Sequence, residues 1–321
     1  MATYDVVTFG ETMIRLSTPL GERLETAVAL EVGIGGAESN VAVALSRLGR
    51  RTAWASVLPH NAFGERIAGE LRRHGVDVSH VRWVERGRVG VYYLDTGSAP
   101  RPTHVLYDRA GSAVAECDPD RIDPDLAAQC RILHLTGITP ALSAGCAEVS
   151  RRLALRATES GIPICLDVNY RSLLWPPPLA AEVLAPLCTA ATVLICGRGD
   201  ARTLWGVTGS DEKAVRALSE RFGAATTVLT TGEEGALALT QDGTLYREPA
   251  LATAVVDRVG AGDAFAAGFL HGYLDGDVAR ALRLGVGLAA LKMTVRGDLA
   301  VVSAHELAAL AAAAPGPAIL R

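Results

Sequence analysis

The chain has 321 residues, 49% of them hydrophobic and 21% charged, with a formal net charge of −4 and a pI near 6.0. That is apolar material enough for one large core or two modest ones, and it describes a soluble globular protein. The mild acidity argues against nucleic acid or an acidic membrane surface as a partner and leaves small molecules as the expectation.

The first strand is expected at Val6 to Phe9, almost at the N-terminus, with no basic leader ahead of it. No uncharged apolar run reaches membrane-spanning length, so a cytoplasmic enzyme is expected. Ile14 to Ile34 has no helical periodicity. Ser39 to Leu48 reads as a helix capped by Ser39, Thr52 to Val57 as a strand, and Asn61 to His74 as a helix with Phe63, Ile67 and Leu71 at four-residue spacing. Val89 to Asp108 again breaks the rhythm, with two strand-like runs flanking the turn-rich segment 96–102, the pattern of a hairpin. The two irregular segments, about 14–34 and 89–108, pair into a small lid sheet on one reading; on the other the second is an ordinary surface hairpin.

Strands then follow at Ile132 to Leu135, Pro163 to Val168, Thr192 to Cys196, Thr226 to Thr230, Ala236 to Thr240 and Ala252 to Val256. Helices alternate with them at Ser143 to Ser160, Asp211 to Phe222, Ala264 to Tyr273 and Asp277 to Val295. The alanine-rich run from Ala308 to Pro315 is expected to fray. Alternating strands and helices predict an α/β fold with a parallel sheet covered on both faces, in one domain spanning residues 1–321. Cys117, Cys130, Cys146, Cys165, Cys188 and Cys196 form no Cys-x-x-Cys pair, and the histidines show no metal-ligand spacing, so buried reduced thiols are expected.

The run Val256-Asp-Arg-Val-Gly-Ala-Gly-Asp-Ala-Phe265 carries the chemistry. It puts Gly260, Ala261 and Gly262 at a helix N-terminus, where free amides and the positive end of the macrodipole receive an anion. Asp263 beside them is a poor phosphate ligand but a suitable base for a hydroxyl attacking a phosphorus held there. The plainer reading is an aspartate that a helix's first turn favours. A dinucleotide loop is excluded because Phe265 stands where a small residue is needed, and a Walker A loop because no Gly-Lys pair occurs. Lys213 and Lys292 are the only lysines among 31 basic residues, so backbone amides, a metal ion and arginine are left to handle phosphate.

This run resembles the C-terminal signature of the PfkB, or ribokinase-like, sugar kinases, and Gly33-Ile-Gly-Gly-Ala-Glu-Ser-Asn-Val-Ala42 resembles their N-terminal one. The resemblance extends from about Val6 to Val302. It implies a three-layer α/β/α sandwich with a small β-sheet lid and an ATP-dependent kinase using Mg2+, with a monovalent cation as a further candidate. The unpaired edges of exposed lid strands could be covered by a second subunit, which makes a homo-oligomer through the lid the expectation. Within the family, Gly10-Glu-Thr-Met13, Tyr107-Asp-Arg109 and Asp167-Val-Asn-Tyr-Arg171 are most similar to the 2-keto-3-deoxygluconate kinases.

That resemblance implies phosphorylation at the 6-hydroxyl, with Asp263 as base and Gly35, Gly36, Asn40, Tyr92, Tyr107, Arg109 and Arg171 around the sugar acid. Tyr92 competes with Tyr93 on the opposite face of its strand. A sugar acid suits arginine forks, which replace the water its carboxylate loses. The nucleotide is expected at Thr231, Gly232 and Gly235, with adenine near Gly285 to Ala289. The family's Asn-x-x-Glu reads Gly197-Arg-Gly-Asp200 here, leaving Asp200 to hold magnesium through water, with Arg198 a phosphate contact or a solvated side chain. Fructokinase or ribokinase activity and a non-catalytic sugar-acid sensor are the alternatives.

Overall fold

A computed structural model describes residues 2–97 and 100–312. In strand β1 (Tyr4–Phe9), Val6 and Val7 are both fully buried although they point to opposite faces, as a strand covered on two sides requires. The chain then leaves for β2 (Met13–Ser17) and β3 (Glu31–Gly35) and returns through helix α1 (Ala37–Arg47) to β4 (Thr52–Pro59). Gly36 rather than Ser39 caps α1; Ser39 lies inside the first turn and donates its hydroxyl to the Gly36 carbonyl. Helix α2 (Ala62–Arg73) is capped by Asn61, which accepts from the Phe63 and Gly64 amides, and leads to β5 (Val81–Val84). The expected hairpin is β6 (Val91–Asp95) and β7 (His104–Asp108); Ser98 and Ala99 in its turn lie outside the described residues.

Next come β8 (Cys130–Thr136), α3 (Ala144–Glu159) capped by Ser143, and β9 (Ile164–Asp167). Helix α4 (Pro177–Ala190) escapes the sequence reading because Pro176 to Pro178 and Pro186 disguise it; prolines in a first turn are tolerated, since their missing N–H groups would have no partner there. After β10 (Val193–Gly197) the short α5 (Arg198–Trp205) is also unforeseen. The remainder is α6 (Asp211–Phe222), β11 (Thr226–Thr230), β12 (Ala236–Thr240), β13 (Leu245–Glu248), α7 (Ala261–Tyr273), α8 (Val278–Met293) and α9 (Ala304–Ala312). Ala308 to Ala312 is helical rather than frayed, while 313–315 lies outside the described residues.

Among the described residues the main sheet runs β13-β12-β11-β10-β9-β8-β1-β4-β5, parallel from β11 to β5, with β12 and β13 antiparallel. Val7 is in register with Ala53 and Leu133. Val7 belongs to the core under α3 to α6, with Leu153, Leu184 and Leu218; Val6 belongs to the core under α1, α7 and α8, with Leu45, Phe269 and Leu282. The result is three layers, with a second sheet in the order β3-β2-β6-β7 alongside.

The strand expected at 252–256 is absent. Val256 and Asp257 donate their amides to the Met293 carbonyl at the end of α8, at 2.8 and 3.1 Å, and Val255 and Val256 are about half exposed. A helix end satisfies that backbone instead of a neighbouring strand, and β-branched composition cannot reveal which partner is near.

Candidate active site

The C-terminal ends of β1, β8, β9, β10 and β11 converge on the N-terminus of α7, the crevice where open α/β sheets place ligands. Gly260 caps α7 with φ of 85°, and a Cβ there would strike the Asp298 carbonyl, so glycine is required. The helix begins at Ala261, three residues earlier than expected, which puts Asp263 in its first turn. The Ala261 amide donates to the Arg258 carbonyl at 3.2 Å. Among the described residues, the amides of Gly260, Gly262 and Asp263 have no partner, which leaves them free to receive an anion. Gly262 faces open space.

Asp263 is buried, and the Asn40 amide Nδ2 donates to its Oδ2 at 2.7 Å. Burial pushes its carboxyl up to about 6, against the hydrogen bond from Asn40 and the charge of Arg171, which favour the ionised form. Three cavities meet along this loop. The first, of about 80 Å³, is lined by Gly35, Gly36, Asn40, Tyr92, Tyr107, Arg109, Arg171 and Asp263, so the structure brings every expected sugar-binding residue to one place. Tyr92, not Tyr93, faces inward, and its ring lies 6.0 Å from that of Tyr107.

Glu11 and Asp298 line the same cavity and were not anticipated. Glu11 is buried and accepts from Arg109 Nε at 2.8 Å and Nη2 at 2.5 Å, while Ser112 Oγ donates to its other oxygen. Arg109 also lies over the Tyr107 ring at 5.7 Å. Its charge is thus already matched by a carboxylate. Arg171 is exposed and has no ion pair among the described residues.

A second cavity, about 410 Å³, adds Asp167, Asn169 and Asp200 to Gly260, Ala261, Gly262 and Asp263. Burial raises Asp167 to about 8, helped by the neighbouring charges of Asp263 and Asp200. Asp200 is also raised by burial, although it accepts from the Tyr170 amide at 3.2 Å. Among the described residues no three acidic, histidine or cysteine side chains are close enough to cage a metal. Such a donor set fits hydrated magnesium carried by phosphates better than a protein-only site. Asp167 opens the motif Asp167-Val-Asn-Tyr-Arg171, in which the sequence pointed only to Arg171, because a buried acid at a strand end does not show its role along the chain.

The third cavity, about 750 Å³, is lined by Gly232, Gly235, Phe265, Val286, Ala289 and Met293. It shares Arg258, Ala261, Gly262 and Phe265 with the second. Thr231 is not on its wall: the hydroxyl donates to the Gly235 carbonyl at 2.9 Å, so this residue shapes the loop. Gly285 packs against Phe265 behind the cavity. Arg198 is held by Asp211 and Glu234, at 3.1 and 2.7 Å, and leaves the phosphate site to others.

The profile of "pfkB family carbohydrate kinase" matches residues 3–305. A 2-dehydro-3-deoxygalactonokinase of Haloferax volcanii is 46% identical over 306 residues, 95% of this chain and 96% of that protein. A 2-dehydro-3-deoxygluconokinase of Thermoproteus tenax is 35% identical, over 92% and 90% of the two chains. The crystal structure of 2-dehydro-3-deoxygluconokinase from Thermotoga maritima superposes with a TM-score of 0.91 at 31% identity, covering 97% of this chain and 98% of that one.

Proposed function

The chain belongs to the pfkB family of carbohydrate kinases, a sugar kinase of the 2-dehydro-3-deoxy-gluconate or -galactonate type, and on that premise we propose that it transfers the γ-phosphoryl of ATP to the 6-hydroxyl of a 2-keto-3-deoxy sugar acid. The observation that carries this reading is the sharing of one stretch, Gly260 to Asp263, by a small cavity into which arginines, acids and tyrosines converge on one side and a large one lined mainly by aliphatic and glycine residues on the other. A sugar in the first and a nucleotide in the third would present hydroxyl and phosphorus to each other across Asp263.

Asp263 accepts the hydroxyl proton as the oxygen attacks, with Asn40 fixing the carboxylate's orientation. The free amides of Gly260 and Gly262 point at the charge developing on the moving group; one such donor is worth about 3 kcal/mol in comparable sites. Magnesium carried by the nucleotide would supply charge neutralisation, and Asp200 and Asp167, which line the cavity beside the loop, would hold it through water. Gly232, Gly235, Phe265 and Met293 enclose the nucleoside. The small sheet closes over the sugar as a lid.

For the substrate carboxylate, Arg171 supplies the unmatched positive charge, and Arg109, neutralised by Glu11, supplies a fixed edge of donors. The sequence motifs do not separate the gluconate-derived from the galactonate-derived acid, which differ at one hydroxyl; the 46% identical relative is named for the galactonate compound and the 35% identical one for the gluconate compound. The test is ADP release with both 2-keto-3-deoxy acids, fructose and ribose. Turnover confined to the acids is expected, with Arg171→Ala raising KM for the acid at least tenfold, about the 1.4 kcal/mol of one charge-assisted contact. Preference for a neutral sugar would overturn the acid assignment, and no ADP with any acceptor would favour a binding protein.

A further inference from the structure

Behind the anion loop lies a group of charges that the steps above do not use. Arg15 on β2 is only 4% exposed and forks between two acids, Nη2 to Asp257 Oδ2 at 2.5 Å and Nη1 to Asp298 Oδ1 at 2.6 Å. Asp257 also accepts the Val259 amide at 3.0 Å and the Gly297 amide at 3.1 Å, and its carbonyl accepts from Nζ of the fully buried Lys292 at 2.9 Å. The Asp298 carbonyl is the atom beneath Gly260, and its side chain lines the sugar-side cavity. Three regions far apart in sequence therefore meet at one guanidinium: the small sheet, the turn into α7 and the turn after α8.

Two cations and two carboxylates leave the group neutral, so its field on the phosphates is small. Buried ionic groups add little stability over an apolar replacement, which points to position as what they fix here. A guanidinium holds its two terminal nitrogens in a rigid plane and grips two separate carboxylates at once; an ammonium is a single point and cannot span both. Any displacement of β2 is thereby passed to the residues that set Gly260.

We infer that Arg15 is a positioning residue that couples the small sheet to the anion loop, so that sugar acid beneath β2 and β6 and phosphates at Gly260 to Gly262 strengthen each other's binding. It touches neither reactant. The inference rests on the kinase reading, and calorimetric titration of the full chain tests it, using the sugar acid with and without magnesium and a non-hydrolysable β,γ-imido analogue of ATP. For the wild type the analogue should tighten acid binding about tenfold or more, and the acid should tighten the analogue by the same factor, as linkage demands. Arg15→Lys keeps the charge but not the fork; it should bring that factor to within about twofold of unity while each ligand alone binds almost as before.

A purely structural role would lower the melting temperature and leave the factor alone. Should Arg15→Lys fail to fold, Asp257→Asn, of equal size and still an acceptor, should show the same loss. Coupling retained in either folded variant, or absent from the wild type, overturns the proposal. The kinase reading fails separately: wild-type protein that couples its ligands yet releases no ADP sinks phosphoryl transfer and still supports the brace.

Discussion

At Asp263 burial and its neighbours act in opposite directions: loss of water lifts the carboxyl to about 6, while Asn40 and Arg171 favour its charge. Below that pH the group carries a proton and cannot take another, so kcat/KM should fall on the acid side with an apparent pKa near 6, about two units above a free aspartate. Asn40→Ala removes a hydrogen bond to the charged form and should move the limb upward; a limb below about pH 5 in the wild type would remove Asp263 from the base role. The folded state binds this proton more tightly than the unfolded chain. The resulting stability penalty therefore grows between about pH 4 and 6 and is complete above. Asp263→Asn lifts it, so the melting temperature at pH 7 should rise by about 2–4 °C while kcat drops by about 10²–10⁴, read by calorimetry and steady-state assay. The place of this residue in the first turn after the glycine loop was legible from the sequence, because it sits within the glycine motif itself. Glu11, whose carboxylate holds Arg109, was not: nothing along the chain shows that residues 98 positions apart share a hydrogen bond.

The element that matters most is the N-terminus of α7, where two glycines differ in physical role. Gly260 is held at φ of 85° against the Asp298 carbonyl; Gly260→Ala should lower stability by about 1–3 kcal/mol and cut turnover together. Gly262 has ordinary backbone angles and open space beside it. Gly262→Ala should therefore keep or slightly raise the melting temperature, since alanine suits a helix better than glycine, yet depress kcat by placing a methyl where phosphate belongs. Melting curves and kcat for the pair check this; equal melting temperatures would refute the assigned difference. Helices with Asx or Ser caps, α2 and α3, were readable because the cap is a local hydrogen bond. The strand expected just before α7 was misread because its backbone partner, Met293, lies more than thirty residues on.

Across the whole molecule, the two sheets differ in burial. β8 and β9 are almost wholly enclosed, whereas β7 exposes most of its side chains. Hydrogen exchange should accordingly be fast at β7 in the free enzyme and slow when sugar acid and ATP analogue are both bound, with β8 and β9 protected throughout. Unchanged exchange at β7 would exclude closure of the small sheet. Taken alone, the sequence determined the alternation of strands and helices, the anion loop and the family, because each depends on residues adjacent in the chain or repeating at a helical or strand period. Only the tertiary structure decided which tyrosine faces the cavity, that Arg109 is already paired and Arg171 has no ion pair among the described residues, that Thr231 serves its own loop, and that Arg15 joins Asp257 and Asp298 beside Gly260. These depend on distances between residues up to 283 positions apart, and such distances are set by packing and by buried charges that must find partners, not by local pattern.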